Sequence, residues 1–285
     1  MFRRIFLSAT IATVFLAAAT PAHAELQWSD NSFRLWYSTD FREPYNPHYI
    51  PKGVLAYAHV DSYKWGGNFL NINFLYSDAS HGDTARGLKS VPNEGALEVY
   101  ATFRSTLSLN KVTRSKMFEM GGVVKDLGIA LGVDLNTKNH AFSARKIMPV
   151  GGLQVAFNVP GFLQLALLVN KEWGVNGIVG RATSFDVTEM LAMSWGIPVY
   201  GPISCEGFGI VNLPKGNAGF GADTVTEVLL HPKLMVDVGQ LFGSKGYQVG
   251  VGYEYWLNKF GNNHKNDPTG GSYARTFFGE IAIHL

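Results

Sequence analysis

The chain has 285 residues, of which only 16% are charged, 13% are aromatic and 32 are glycine. The many aromatic residues exclude a disordered chain, which has few aromatics and a high net charge. Arg3 and Arg4 are the only Arg, Lys, Asp or Glu residues in the first 24 positions, so 22 basic and 22 acidic residues remain beyond them. That balance argues against a nucleic-acid-binding protein, which shows a basic excess. Beyond residue 24, no apolar run reaches the ~18 residues that a spanning helix needs.

The first 24 residues predict a secretory signal peptide. A short basic segment precedes an apolar stretch at 5–19, and Ala-His-Ala at 22–24 forms a small-x-small cleavage site. We therefore expect two parts in the chain, the signal peptide at 1–24 and one domain at 25–285. Cys205 is the only cysteine, so the chain forms no intrachain disulfide, and we predict a thiol without a specific role.

Strict alternation of apolar and polar residues dominates the rest of the chain. In chain order, it is clearest over residues 70–76, 97–107, 127–135, 249–257 and 277–285. Successive side chains of a β-strand point to opposite faces of the sheet, so this pattern predicts strands with one apolar and one polar face. The fold class is therefore predicted to be all-β.

The length and composition of these strands favour a membrane barrel over a soluble β-sandwich. Strands of soluble sheets average about 5–6 residues, whereas a tilted strand that crosses a bilayer needs about 9–11, which is the length seen here. The polar faces carry Gly, Ala, Thr and Asn with few lysines, which suits a barrel interior. Because an open sheet edge in lipid leaves backbone groups unpaired, the sheet must close. We predict a closed antiparallel transmembrane β-barrel in the outer membrane.

The number of strands is harder to predict than their existence. Twelve to fourteen segments qualify. Bacterial barrels usually have even strand numbers, and twelve is our prediction because three of the segments are weak. The alternation is weakest near residues 142–148, 179–187 and 205–212.

The same alternation separates lipid-facing side chains from luminal ones. The side chains predicted to face the lumen are Arg34, Trp36, Tyr57, His59, Asp61, Phe69, Asn71, Asn73, Glu98, Tyr100, Arg104, Asp126, Asp134, Gln164, Asn170, Glu227, Asp237, Glu254, Trp256, Phe278 and Glu280.

This mixture of aromatic rings, carboxylates and a few arginines suits a neutral solute with an aromatic base and a hydroxylated sugar. Stacking of a base on an aromatic side chain contributes ~1–3 kcal/mol, and carboxylates and amides hydrogen-bond to hydroxyl groups. The alternative is a purely structural lining of ion pairs and hydrogen bonds. The candidate solute-binding residues are Tyr57, His59, Asp61, Phe69, Asn71, Glu98, Tyr100, Arg104, Glu254 and Trp256.

Four stretches carry a resemblance to a known family. They are Asp30-Asn31-Ser32-Phe33, the segments at 40–44 (DFREP) and 59–69 (HVDSYKWGGNF), and the segment at 252–261 (GYEYWLNKFG). Together they resemble the Tsx/OmpK family of nucleoside-specific outer-membrane channels. The resemblance implies a twelve-stranded monomeric barrel with a narrow lumen, through which nucleosides pass by facilitated diffusion, and it leaves room for a second role as a phage receptor.

Other function classes receive less support from the sequence. No His-Glu-x-x-His pair and no cysteine cluster is present, so we expect no metal site, no cofactor and no enzymatic activity. One alternative is a surface receptor, for phage or for adhesion, without selective transport. Another is a barrel phospholipase, which would need a serine beside His59 and Asp61.

Overall fold

The computed structural model of the protein describes residues 25–77, 83, 95–139, 145–176, 181–217 and 222–285. The predicted signal peptide lies outside these residues. The described part of the chain forms twelve strands and one short α-helix, α1 (Leu109–Thr113). The strands are β1 (Leu26–Phe41), β2 (Ile50–Tyr63), β3 (Gly66–Ser77), β4 (Ala96–Ser108), β5 (Val124–Lys138), β6 (Arg145–Phe157), β7 (Phe162–Asn176), β8 (Arg181–Tyr200), β9 (Ile203–Asn212), β10 (Glu227–Asp237), β11 (Tyr247–Leu257) and β12 (Tyr273–His284).

The twelve strands close into a single barrel. Each strand pairs with its sequence neighbours in antiparallel fashion, and β1 pairs with β12 to complete the ring, with Trp36 opposite Glu280. Closure satisfies the backbone groups that an open edge would leave unpaired in lipid. The predicted all-β, twelve-stranded, closed antiparallel barrel is therefore confirmed.

The described parts of the three segments with weak alternation all contribute to strands. Residues 145–148 lie in β6, residues 181–187 in β8, which at 20 residues is the longest of the twelve strands, and residues 205–212 in β9, whereas 142–144 and 179–180 lie outside the described residues. Glycines explain part of the weak signal in β9, because they carry no side chain to alternate. A Cβ atom at Gly207 would lie 2.5 Å from the carbonyl oxygen of His231 on β10, so the two backbones approach each other closely there.

The connections differ in length at the two ends of the barrel. At one end, named here the turn end, short links such as residues 64–65 and 201–202 join successive strands, and 109–123 is the longest link. At the other, named the loop end, longer segments such as residues 42–49 and 258–272 join them. Outer-membrane barrels place short turns on the periplasmic side and longer loops outside.

The outer surface of the barrel is apolar. Arg34 on β1 contacts Glu206 on β9, although three strands separate β1 from β9. Both side chains must therefore lie in the lumen. The strand register then shows which of the other side chains face the lumen and which face outward. The exposed apolar side chains on the opposite face are Phe33, Leu35, Tyr37, Leu55, Phe74, Tyr76, Phe103, Leu131, Leu135, Leu153, Leu167, Val169, Val251, Phe277 and Ile281.

Within the described ranges, no helix is long and apolar enough to cross a membrane.

Replacing Leu131 by arginine is expected to impair folding into vesicles. Leu131 lies at the middle of β5, is 57% exposed, and faces outward. Arginine at the bilayer midplane of a barrel costs about 2–4 kcal/mol, against about 0–1 near the interfaces. The measurement is the urea midpoint of folding in phospholipid vesicles, read by heat-modifiable gel mobility.

The matched control for this variant is Val123→Arg. Val123 is 63% exposed and immediately precedes β5 at the turn end, so the same charge is added outside the apolar belt. Equal losses of stability in the two variants would contradict the assignment of Leu131 to the lipid-facing surface.

Candidate functional site

The lumen contains a four-membered ion-pair network, named here the ionic quartet: Arg34, Glu206, Lys233 and Glu280. Nη1 of Arg34 lies 3.0 Å from Oε1 of Glu280 and 3.3 Å from Oε2 of Glu206. Nζ of Lys233 lies 2.7 Å from the same Glu280 oxygen. The two cations balance the two carboxylates. Because these side chains come from β1, β9, β10 and β12, the network spans the arc of wall from β9 to β1 and narrows the lumen there.

An aromatic layer lies one side-chain step from the quartet toward the loop end. The imidazole of His231 is stacked between the rings of Phe208 and Phe278, with centroid distances of 5.0 and 4.6 Å. The indole of Trp36 meets the imidazole edge-on at 5.3 Å. Each of these residues is two positions along its strand from a quartet member. The predicted luminal positions of Trp36 and Phe278 are therefore correct.

His231 and Glu254 carry unused hydrogen-bonding atoms in this layer. Nδ1 of His231 lies 3.7 Å from Oε2 of Glu254, and both side chains are 8% exposed. Among the described residues, neither His231 Nδ1 nor Glu254 Oε1 has a hydrogen-bond partner. An unpaired buried polar atom costs free energy. Together with Oδ1 of Asn170, these are the buried atoms of the described residues that still have unused hydrogen-bonding capacity for a polar group.

Trp256 lies next along the wall toward the loop end. Its Nε1 donates to Oε1 of Glu227 at 2.7 Å, and the same oxygen accepts from the backbone N of Phe260 at 2.9 Å. Nζ of Lys259 lies 4.4 Å from the centroid of the Trp256 rings. The hydrogen bond fixes the indole, so Trp256 presents a rigid aromatic surface in the lumen.

The opposite wall, from β3 to β7, contains the other predicted luminal residues. Tyr100 accepts a hydrogen bond from Nζ of Lys146 at 2.9 Å, and Nη1 of Arg104 donates to Oδ1 of Asp134 at 2.7 Å. Glu98 accepts from Nδ2 of Asn136 at 2.6 Å.

Phe69 and Asn71 complete the predicted set on this wall. Phe69 pairs with Arg104 and Asn71 with Thr102, so both share the luminal face. The structure therefore places Phe69, Asn71, Glu98, Tyr100, Arg104, Glu254 and Trp256 in the lumen, as predicted.

A buried ionic cluster lies at the loop end of the lumen and is named here the mouth cluster: Glu43, Lys52, Asp83, Lys138 and Lys259. Oε1 of Glu43 lies 2.6 Å from Nζ of Lys52 and 3.4 Å from Nζ of Lys259. Asp83 bridges Lys52 and Lys138 at 3.0 and 2.8 Å. Burial alone raises the pKa of Glu43, but Lys259, Lys52 and Lys138 outweigh it and hold that pKa at about 2. The carboxylate is therefore charged at neutral pH.

The segment 42–49 brings Glu43 into this cluster by folding inward over the lumen. Nη2 of Arg42 donates to the carbonyl oxygen of Thr269 at 2.5 Å, and Nζ of Lys259 donates to that of Arg42 at 2.8 Å. A Cβ atom at Gly271 would overlap the carbonyl oxygen of Glu43, so the approach of the two loops requires glycine there. The loops at 42–49 and 258–272 thus form one packed unit.

Asp267 fixes the two loops to each other. Its carboxylate accepts from the backbone N of Tyr45 at 3.0 Å, from Thr269 Oγ1 at 2.6 Å and from Ser272 Oγ at 2.7 Å. Burial opposes ionisation, yet these hydrogen bonds keep the pKa of Asp267 below its ordinary value.

Three predicted luminal residues, Tyr57, His59 and Asp61, lie on the outside of the barrel, so that prediction is wrong. Tyr57 pairs with the outward Phe33, whereas the luminal Arg34 pairs with Ala56. The luminal face of β2 carries the small apolar residues Val54, Ala56 and Ala58, which are buried. Because both faces of β2 are partly apolar, its alternation does not identify the inner face.

The three outward residues form a polar network near the turn end. Nδ1 of His59 lies 2.9 Å from Oδ1 of Asn31, which also accepts from the hydroxyl of Tyr57 at 2.8 Å. Nε2 of His59 lies 3.3 Å from Oδ2 of Asp61, which Asn68 also contacts. Among the described side chains, no serine hydroxyl hydrogen-bonds to this imidazole.

The alternation pattern does not identify several of the luminal residues. His231, Glu206 and Lys233 lie in strands whose pattern is interrupted by Gly207 and Pro232. Lys146 precedes the clear part of its strand. In the part of the chain that the structure describes, no group of three His, Cys, Asp or Glu side chains is placed to hold a metal ion.

The closed sheet, the apolar exterior and the charged lumen together define a transmembrane β-barrel with a narrow polar interior. The sequence matches no protein-family model and no curated protein. The fold is similar to that of a KdgM porin in complex with disordered oligogalacturonate, at 10% identity and a TM-score of 0.42, covering 90% of this chain and 98% of that one.

Two further barrels show a comparable likeness. One is the translocator domain of the autotransporter NalP from Neisseria meningitidis, with 11% identity, a TM-score of 0.38, and coverage of 98% of this chain and 95% of that one. The other is OccK5 of Pseudomonas aeruginosa, with 8% identity, a TM-score of 0.28, and coverage of 90% and 97%. These likenesses are too distant to transfer an activity to this chain.

Proposed function

We propose that the protein is an outer-membrane channel for the facilitated diffusion of small polar solutes, with nucleosides as the preferred class. The apolar exterior requires a lipid environment, and the long loops at one end suit an outer-membrane orientation. The sequence resemblance to nucleoside channels supplies the solute class. We further propose that the channel is a monomer without enzymatic activity.

The observation that carries this proposal is the aromatic layer with its two unused polar atoms. A nucleobase stacks on aromatic rings with about 1–3 kcal/mol per base, and Trp36, Phe278 and Trp256 supply such rings along one wall. The sugar hydroxyls and base N–H groups match the free acceptor Oε1 of Glu254. A passive channel needs sites weak enough to release the solute, and a few isolated contacts meet that condition.

Liposome swelling is the direct test of the proposed function. Vesicles containing the full chain are diluted into isosmotic adenosine, uridine, ribose or arabinose, and the initial swelling rates are compared. Nucleosides are expected to enter faster than the smaller pentoses, because binding offsets their larger size. Swelling rates that depend only on the size of the solute would refute the proposed selectivity. The absence of any swelling would refute the channel.

Substituting Glu254→Gln is expected to reduce nucleoside flux at low concentration while sparing pentose flux. Glutamine keeps the size of the side chain and removes its charge. Glutamine still offers an acceptor oxygen, so the loss is the difference between a hydrogen bond to a charged group, about 1.5–3 kcal/mol, and a neutral one, about 0.5–1.5 kcal/mol. Site occupancy should therefore weaken about tenfold, at ~1.4 kcal/mol per tenfold. The readout is the ratio of adenosine to ribose flux in wild type and variant.

The matched control is Glu189→Gln. Glu189 lies in β8, pairs with the outward Val169, and is exposed on the outer surface. It therefore loses the same charge outside the lumen and should keep the wild-type flux ratio. If both variants keep that ratio, Glu254 is only a wall residue.

A surface receptor, for phage or for adhesion, is the alternative function, and it is compatible with a channel because it would use the loop end. Planar bilayers distinguish the two, since a receptor without transport gives no conductance. A lipid-hydrolysis assay tests the barrel phospholipase directly, and we expect no activity.

A further inference from the structure

Lys146 is a luminal cation that hydrogen-bonds to a phenol. It lies on β6, and its Nζ donates to the hydroxyl of Tyr100 at 2.9 Å and lies 4.7 Å from the centroid of that ring. Among the described residues, this ammonium group forms no ion pair. A lysine ammonium has three N–H donors, and the phenol accepts from one of them.

The neighbouring cations each have a carboxylate of their own. Arg104 pairs with Asp134 at 2.7 Å, and Lys215 pairs with Glu172 at 2.6 Å. Glu98, on the same strand as Tyr100, lies 3.6 Å from Nζ of Lys138. Four cations and three carboxylates therefore leave one positive charge unbalanced in this part of the wall, and Lys146 is the cation left over. A charge withdrawn from water is costly unless a counter-charge pairs with it.

We propose that Lys146 and Tyr100 form a subsite for an oxyanion, the carboxylate or phosphate group of a small solute. The ammonium supplies charge and N–H donors. The Tyr100 hydroxyl accepts from Lys146, so its own proton is directed elsewhere and is available to donate to the same oxyanion. The carboxylates of Asp134 and Glu172 interact electrostatically with Lys146 and so weaken its attraction for an anion, which suits solutes that bind and then leave.

This subsite extends the proposed function and rests on it only for the entry of solutes into the lumen. It lies on the wall opposite the aromatic layer of Trp36, His231 and Phe278. The added class consists of acidic small solutes, beside the neutral nucleosides.

The test measures binding without transport. Inorganic phosphate is titrated with the full chain in detergent micelles, and the width of the phosphorus NMR line reports exchange with the protein. Wild type is expected to broaden the line, and Lys146→Met to weaken the apparent affinity about tenfold or more, which is ~1.4 kcal/mol or more. Acetate added as a competitor should narrow the line if the subsite takes carboxylates as well.

Three variants make the outcome specific. Lys125→Met removes a lysine from the exposed outer face of β5 and should leave the broadening unchanged. Lys146→Arg keeps the charge and should retain it, and Tyr100→Phe removes one hydrogen bond and should weaken it by a few-fold. Should Lys146→Met not fold by gel mobility, the last two variants still decide the question.

Two results would overturn the subsite. One is the absence of broadening in wild type, and the other is unchanged broadening in Lys146→Met. Neither result depends on nucleoside transport, because liposome swelling is measured separately. Loss of swelling with intact phosphate binding would refute the channel and leave the subsite standing.

Discussion

Replacing Glu280 by alanine is expected to destabilise the folded barrel by about 3–5 kcal/mol, the usual effect of removing one partner from a buried ion pair. Oε1 of Glu280 is the shared acceptor for Arg34 at 3.0 Å and for Lys233 at 2.7 Å, and the carboxylate is almost fully buried. Its loss leaves two cations in the lumen with only Glu206 between them. The measurement is urea-induced unfolding in detergent or vesicles, followed by tryptophan fluorescence and gel mobility.

An exposed ion pair provides the control for this variant. Lys116 and Glu119 lie 3.7 Å apart with side chains that are 85% and 45% exposed. Exposed pairs contribute about 0–1 kcal/mol, so Glu119→Ala should be nearly neutral. If Glu280→Ala is as mild as Glu119→Ala, the quartet does not stabilise the barrel, and its residues would be free to serve transport alone.

The strand architecture was predictable because a membrane barrel repeats one simple physical rule. Lipid outside and polar groups inside force alternation, and β5 shows it in Leu127, Ile129 and Leu131, which alternate with glycine and alanine. Closure follows from the cost of an open edge in lipid. Fold class therefore needed no long-range information.

The facing of individual residues was less predictable where a strand has two similar faces. On β2 the luminal side carries Val54, Ala56 and Ala58, and the outward side carries Tyr57 and His59. A prediction from alternation alone places the more polar side in the lumen, and for β2 this exchanges the inner and outer faces. The inner face is identified only by the pairing of Ala56 with Arg34 and by the contact of Arg34 with Glu206 on β9.

The contacts of the mouth cluster could not be predicted from local sequence. Glu43 lies in a loop, and its partners Lys52, Lys138 and Lys259 come from β2, β5 and the loop after β11. Such contacts depend on how the loops fold inward, and no periodic pattern encodes that. His231 was missed for a similar reason, since its importance comes from Phe208 and Phe278 on other strands.

Acidification is expected to release the inward-folded segment 42–49, and Glu43 sets the pH range. Its carboxyl has an ordinary pKa of 4.5 and a folded pKa of about 2, because the three lysines of the mouth cluster outweigh the effect of burial. A depressed folded pKa means that the stabilisation is complete above pH 4.5 and is lost as the pH falls toward 2. The difference corresponds to about 3 kcal/mol at 1.36 kcal/mol per pH unit.

Glu43→Gln separates this carboxylate from the other acids of the barrel. The variant should be less stable than wild type at pH 7, and its stability should fall less between pH 4.5 and 2, because the titrating group is gone. Asp83 remains and its pKa is also lowered by Lys52 and Lys138 against the effect of burial, so part of the pH dependence persists. Urea unfolding at several pH values measures both quantities.

Conductance tests whether the segment 42–49 also controls the lumen. If the mouth cluster holds that segment over the opening, Glu43→Gln should raise the single-channel conductance at pH 7, and wild type should approach the variant as the pH on the loop side nears 2. Glu119→Gln, at the exposed turn end, should leave the conductance and its pH profile unchanged. A Glu43→Gln channel with wild-type conductance and reduced stability would show that the cluster braces the loops without narrowing the path.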